Sequence, residues 1–161
     1  MSDQRLKDIA YIRKATEVAA RSQASGAHPF GAILVGSDGD VLLEEFNGFP
    51  TDGGPGHAET NLARAAARKF SVEFLEGCTL YTSVEPCCMC TGSIYWAGIG
   101  AIVFGTTEHA LGEITGDHPE NMTMDLPCRT VIASGRRNID VRGPFEELEA
   151  EILDSHRQYW A

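Results

Sequence analysis

Apolar residues recur at three- and four-residue steps between Asp3 and Ser25, at Leu6, Ile9, Ala10, Ile12, Ala15, Val18 and Ala19. That is the period of an amphipathic helix, and Gly26 and Pro29 end it. Phe30 to Val35 is a short apolar run. Ser37-Asp38-Gly39-Asp40 closes it, and a second run, Val41 to Phe46, follows. The pattern predicts a strand, a turn and a strand, hence a β-hairpin.

Residues 47–56 carry four glycines and two prolines, which predicts an irregular loop leading to His57. His57 to Lys69 is Ala- and Arg-rich and reads as a helix. Cys78 to Val84 reads as a strand, Cys87 to Ala97 as a helix and Ala101 to Gly105 as a buried strand. Thr106 to Pro127 is expected to be loop-rich, and a connection of that length suits a lid or binding segment. Arg129 to Ser134 is expected as the last strand and Pro144 to Trp160 as the last helix. Strands alternating with helices imply βαβ units with parallel neighbours. There is no internal repeat and no low-complexity tract.

Composition narrows the class. A chain of 161 residues, 43% hydrophobic, can bury roughly two thirds of its unfolded surface as one domain, here spanning 1–161. Its formal charge of −10, from 13 Lys+Arg against 23 Asp+Glu, repels a phosphate backbone and points to a small, uncharged substrate rather than nucleic acid. No window approaches the ~20 apolar residues of a membrane span. Five cysteines, three of them crowded at 87, 88 and 90, suit metal binding in a reducing compartment better than disulfides. The expected location is cytoplasmic.

The chemistry concentrates at two helix starts. Cys87 and Cys90 follow Pro86 at an i, i+3 spacing, so a helix beginning there puts both sulfurs on one face beside its N-terminus. The unpaired N–H groups and positive dipole end favour thiolate, the form that binds zinc. His57 also begins a helix, so two helix starts can converge on one ion. His57, Cys87 and Cys90 as ligands of one Zn2+ per subunit leave a fourth tetrahedral position for water, as a catalytic zinc requires. Glu59, two residues past the histidine, is placed to take and return a proton. A closed structural zinc site or a redox Cys-x-x-Cys is the bland alternative. Cys88 would be the fourth ligand of a closed site, but it lies ~100° round the helix from Cys87.

The His-x-Glu and Pro-Cys-x-x-Cys pair resembles the signature of the zinc deaminases. More specifically, His57-Ala58-Glu59 and Glu85-Pro86-Cys87-Cys88-Met89-Cys90-Thr91-Gly92-Ser93-Ile94-Tyr95-Trp96-Ala97 resemble the signature segments of bacterial guanine deaminases. His28-Pro29-Phe30-Gly31-Ala32 and Asn47 extend the match over most of residues 1–110. The resemblance implies a cytidine-deaminase-like three-layer α/β/α fold, a mixed five-stranded sheet flanked by helices. It also implies a homodimer, in some relatives with exchange of the C-terminal segment.

In such a site Asn47 would hydrogen-bond the purine ring, the N–H of Ala58 would meet its carbonyl oxygen, and Phe30 and Trp96 would lie nearby. Phe30 and Trp96 can equally be core residues, and Asn47 a turn residue. Tyr95-Trp96, with no Lys/Arg cluster near the C-terminus, separates the chain from the tRNA adenosine deaminases. Around the last helix, Phe145, Leu148, Ile152, Leu153, Tyr159 and Trp160 draw one apolar stripe that includes Glu149 and His156. Glu149 either pairs with His156 or an arginine, or reaches an active site, its own or a partner's, with Glu147 as second choice. The resemblance weakens in 106–127. Relatives carry an acid soon after the Glu-His that Glu108-His109 resembles; here Leu111 stands at that place and Glu113 two positions later. They also end in a tyrosine that closes the pocket, whereas this chain ends Tyr159-Trp160-Ala161.

The expected reaction is hydrolysis of guanine to xanthine and ammonia. Cytosine, cytidine, guanosine or an aminotriazine are alternative substrates, and tRNA adenosine is a further one. A non-catalytic zinc module that docks a partner is the rival from another class.

Overall fold

The computed structural model describes residues 1–161. A 22-residue helix, α1 (Asp3–Ala24), opens the chain, capped by Ser2, whose side chain accepts the Arg5 N–H. The hairpin follows as β1 (Gly31–Val35) and β2 (Val41–Phe46), paired antiparallel with a register shift between Leu34 and Val35. Then come α2 (Phe49–Asp52), α3 (Ala58–Lys69), α4 (Val72–Leu75), β3 (Thr79–Val84), α5 (Cys88–Ala97) and β4 (Ala101–Thr106). The C-terminal third is α6 (Glu108–Thr115), α7 (Cys128–Ala133), β5 (Asp140–Arg142) and α8 (Glu146–Trp160).

The strands form one mixed sheet in the order β2-β1-β3-β4-β5. β1 runs antiparallel to β2 and β3, whereas β3, β4 and β5 run parallel. Alternate residues of the central strands feed opposite faces. On one face Ala32, Leu34, Leu80, Ile102 and Phe104 pack with Leu62, Ala66, Ile94 and Ile132 of α3, α5 and α7. On the other, Ile33, Val35, Tyr81 and Val103 pack with Ile12, Leu111, Leu148 and Ile152 of α1, α6 and α8. This is the three-layer α/β/α arrangement expected. Gly31 permits the tight seating of α1 on β1: a Cβ there would come within 2.5 Å of the Ala19 backbone nitrogen. No helix is long and apolar enough to cross a membrane.

Two local expectations are corrected and a third is refined. Arg129–Ser134 is not a strand but most of α7, preceded by Pro127 at its N-cap. The β-branched Thr130-Val131-Ile132 suggested a strand, yet Cys128 and Ile132, four residues apart, share one buried helical face packed toward α5. The last strand is β5, whose three residues are too few for a periodic signal. The segment 106–127 contains α6, capped by the Thr107 side chain on the Ala110 N–H. Loop 47–56 contains the single turn α2, with Pro50 in its first turn and Gly53, at φ +68°, ending it.

Candidate active site

α3 and α5 lie side by side on one face of the sheet with their N-termini at the same end. His57 is the N-cap of α3 and Cys87 the N-cap of α5, both with extended backbone, and Cys90 lies in the first turn of α5. Two positive helix ends therefore converge on one spot. The Nδ1 atom of His57 lies 3.5 Å from the Sγ of Cys87 and 3.5 Å from the Sγ of Cys90, and the three donor atoms fall within 4.8 Å of one another. Ligands at ordinary Zn–N and Zn–S distances on a tetrahedron are separated by about 3.6 Å, so the donor set fits zinc. Cys88 is outside the cluster, which leaves the fourth position free of protein, as an open site needs.

The surroundings support that set. Thr60 Oγ1 donates to Cys90 Sγ at 3.2 Å. Hydrogen bonding from Cys90 and His57 pulls the Cys87 thiol far below its usual range, while the same bond to Cys87, and then burial, push the Cys90 thiol up. His57 is raised by its hydrogen bond with Cys87. Glu59, 5% exposed, is raised by burial, and His57 and the Thr82 hydroxyl oppose that shift. Thr82 Oγ1 donates to Glu59 Oε1 at 2.7 Å.

Two connected cavities meet here. An inner one of about 20 Å3 is walled by Phe30, Glu59, Val84 and Glu85, and that volume suits one water. An outer groove of about 400 Å3, lined in part by Phe49, Met89, Met122 and Met124, is large enough for a heterocyclic ring. His57, Cys87, Glu108 and Asn121 line both and form the mouth between them. Behind Phe49 and Glu120 of the outer groove, aromatic side chains from distant segments pack together. His28 stacks on Phe49 with centroids 4.3 Å apart, meets Trp160 edge-on at 5.0 Å, and its Nε2 lies 2.9 Å from Glu120 Oε1.

The sequence-predicted residues are distributed unevenly. His57, Glu59, Cys87, Cys90 and Phe30 come together. Ala58 is fully buried at the first position of α3, where its N–H is free of intrahelical pairing. Asn47 is buried but lines neither cavity. Its Oδ1 accepts the Phe49 N–H at 2.8 Å, as a turn residue does. Trp96 is 78% exposed; nine residues past Cys87, it sits about half a turn round α5, facing away from the metal cluster.

Glu149 is half-buried on α8 and lines neither cavity, and it does not pair with His156. The buried face of α8 runs through Leu148, Ile152 and His156 at four-residue steps, which puts Glu149 about 100° off it. His156 instead accepts the Trp160 Nε1–H at 3.1 Å. Glu147 forms a forked ion pair with Arg5 at 2.9 and 2.7 Å. Leu111 is buried in the core, and Glu113 is exposed beside His109.

Residues missed from the sequence are Thr60, Thr82, Glu85, Glu108 and Asn121. Glu85 precedes the Pro-Cys motif, and its two oxygens accept the N–H groups of Glu108 at 3.1 Å and Cys128 at 2.8 Å. Glu108 is pushed up to about 8, by burial first and the nearby Cys87 and Glu59 second. The likeness of Glu108-His109 to the Glu-His of relatives was its readable signal, though it gave Glu108 no role. Asn121 gave none.

The family model of the cytidine and deoxycytidylate deaminase zinc-binding region matches residues 5–106. The chain belongs to that deaminase family. Its relatives include a probable cytosine deaminase of Schizosaccharomyces pombe, 36% identical over 154 residues, covering 96% of this chain and 93% of that protein. A guanine deaminase of Bacillus subtilis is 40% identical over 101 residues, covering 62% of this chain and 64% of that one. Among solved structures, a guanine deaminase from Nitrosomonas europaea shares the fold with a TM-score of 0.72 at 22% identity, covering 92% of this chain and 84% of that chain. The deaminase is thus one of a zinc-dependent hydrolase family whose members take different bases.

Proposed function

We propose that the protein hydrolyses the amino group of a free purine base, guanine first, giving xanthine and ammonia. The observation that carries the reading is the division of the site into a one-water chamber holding Glu59 and a ring-sized groove opening onto it past His57 and Cys87. Bound by His57, Cys87 and Cys90, zinc would supply Lewis-acid activation of a water in that chamber.

The chain's own residues do the rest. Burial raises Glu59, so its carboxyl can both accept a proton from water and release it. Glu59 takes that proton as the water oxygen bonds to the amino-bearing C2 carbon. It delivers that proton to the ring nitrogen, then takes the second proton from the new C2 hydroxyl and passes it to the departing amine, which leaves as ammonia as the C2 carbonyl forms. Thr82 holds Glu59 in place through the 2.7 Å hydrogen bond. Val84 and Phe30 keep other water out of the inner chamber.

Guanine is favoured over other bases by the His57-to-Ala97 signature segments. The likeness to a probable cytosine deaminase over nearly the whole chain favours cytosine as the second reading. Ammonia release by the zinc-loaded protein from guanine, guanosine, cytosine, cytidine and an aminotriazine decides between them. Guanine should turn over fastest. Turnover of cytosine alone would replace this reading with the second, and turnover of none would favour a non-catalytic zinc module.

The catalytic assignment covers Glu59, with His57, Cys87 and Cys90 as ligands and Phe30 and the Ala58 N–H toward substrate. Asn47, Trp96 and Glu149 would enter only if binding or a partner chain rearranged them. A homodimer is part of the reading, and Trp96 with the half-exposed Met89 on the open face of α5 supports it. Within one chain the C-terminal segment closes on its own His28. The five free cysteines suit a cytoplasmic enzyme.

A further inference from the structure

The mouth between chamber and groove contains two side chains that the chain itself does not satisfy. The amide nitrogen of Asn121 is enclosed and has no hydrogen-bond partner. Glu108 is 7% exposed and lines both cavities, and its carboxyl oxygens, open to the cavity, accept no hydrogen bond from within the chain. Buried polar groups without partners are costly, and their retention at a cavity wall points to a ligand that completes them. The strut from Glu85 to the Glu108 N–H fixes the start of α6 and hence the carboxyl's position.

We propose, on the deaminase reading above, that Asn121 and Glu108 are the specificity residues. Together they read the lactam edge, N–H beside C=O, of a 2-amino-oxopurine. Asn121 donates its amide N–H to the ring carbonyl, and a Glu108 oxygen accepts the ring N–H. An acceptor oxygen remains on Glu108 whether or not it holds a proton.

The order of groups on the ring makes this selective. In guanine the reacting C2 is followed along the same edge by N1–H and then C6=O. With C2 directed into the chamber toward Glu59, those two groups lie at the mouth. In cytosine the atom next to the reacting carbon is a bare nitrogen, which offers Glu108 no hydrogen. An acceptor and a donor side by side therefore favour the purine lactam, and a base lacking either group leaves a buried partner unpaired.

The test uses inhibitors, so that it does not depend on which base is turned over. Hypoxanthine carries the N1–H and C6=O edge without the amine, and purine lacks both. In the zinc-loaded protein hypoxanthine should bind at least tenfold more tightly than purine. Asn121→Ala and Glu108→Ala should each weaken hypoxanthine by about 10- to 100-fold and purine by no more than a few-fold, with zinc content unchanged. Glu108→Gln, which keeps an acceptor oxygen, should stay within a few-fold of the parent for hypoxanthine. Equal binding of the two rings by the parent, or parallel weakening of both in the variants, would overturn the assignment. Failure of the guanine reading shows separately, as absence of guanine turnover by the parent protein.

Discussion

The hydroxyl of Thr82, on the central strand β3, holds Oε1 of Glu59, on the first turn of α3, at 2.7 Å. It is the one side-chain hydrogen bond fixing the carboxyl that moves the protons, and it ties catalysis to the rigid centre of the sheet. Thr82 also donates toward the Val84 carbonyl at 3.0 Å, so its hydroxyl is shared and directional. Thr82→Val keeps shape and burial while removing the donor. The expected outcome is a fall in kcat of about 10- to 100-fold with zinc content unchanged, against about 10²- to 10⁴-fold for Glu59→Gln. Ammonia release and metal analysis on the same preparations check it. A Thr82→Val enzyme as fast as the parent would show that Glu59 needs no orientation.

Glu85 braces the site from behind, because it accepts the first N–H of α6 and the first of α7. Glu85→Ala leaves both donors buried and unpaired, at about 1–3 kcal/mol each. Urea unfolding should show a loss of about 2–5 kcal/mol, and Glu85→Gln should lose less because one oxygen remains.

Much of this was legible from periodicity. α1 and α8 announce themselves because each buries one regular face of a run long enough to set a period, whereas β1 and β4 read as short apolar runs buried on both faces. The metal ligands were legible because two helix starts impose local spacing, which the N-cap placement of His57 and Cys87 matches. α7 was misread because Thr130-Val131-Ile132 favours a strand locally, and its packing toward α5 overrode that preference. Glu108 and Asn121 come from a segment without period, and only the closing of the chain reveals that their polar groups face a cavity. Asn47 shows the converse: a residue singled out for the substrate whose oxygen is engaged by its own turn.

Trp160 joins the C-terminal helix to His28, which backs the groove-lining Phe49, with edge contacts to His28 and His118 at 5.0 and 4.9 Å. Trp160→Ala removes that buried ring and the hydrogen bond to His156. A loss of about 3–5 kcal/mol is expected in denaturant unfolding. The packing behind Phe49 should also loosen, raising KM for the base more than it lowers kcat. An unchanged KM would show that this packing does not reach the bound ring.

His156 makes the stability of the deaminase depend on pH in a defined window. It is 1% exposed, packed against Phe30 with centroids 5.0 Å apart, and burial lowers it from 6.5 to about 4. With Nδ1 accepting from Trp160, the ring is held neutral. Between pH 6.5 and 4 the unfolded chain therefore binds a proton that the folded chain refuses. Stability is fully present above pH 6.5 and declines as the pH falls toward 4. For a shift of this size the loss approaches about 3 kcal/mol. Glu108, pushed up to about 8, acts in the opposite direction over that range, so urea unfolding at intervals from pH 7.5 to 4.5 reads the His156 contribution as the difference between two proteins. His156→Gln, which has no proton to take up, should cost stability at pH 7.5, and that cost should shrink as the pH falls toward 4.5. Equal slopes in the two proteins would place the acid sensitivity elsewhere, with Asp8 excluded because its carboxyl, held below its ordinary value of 3.8 by Arg142, Gln4 and Tyr81 against the opposing effect of burial, acts only at still lower pH.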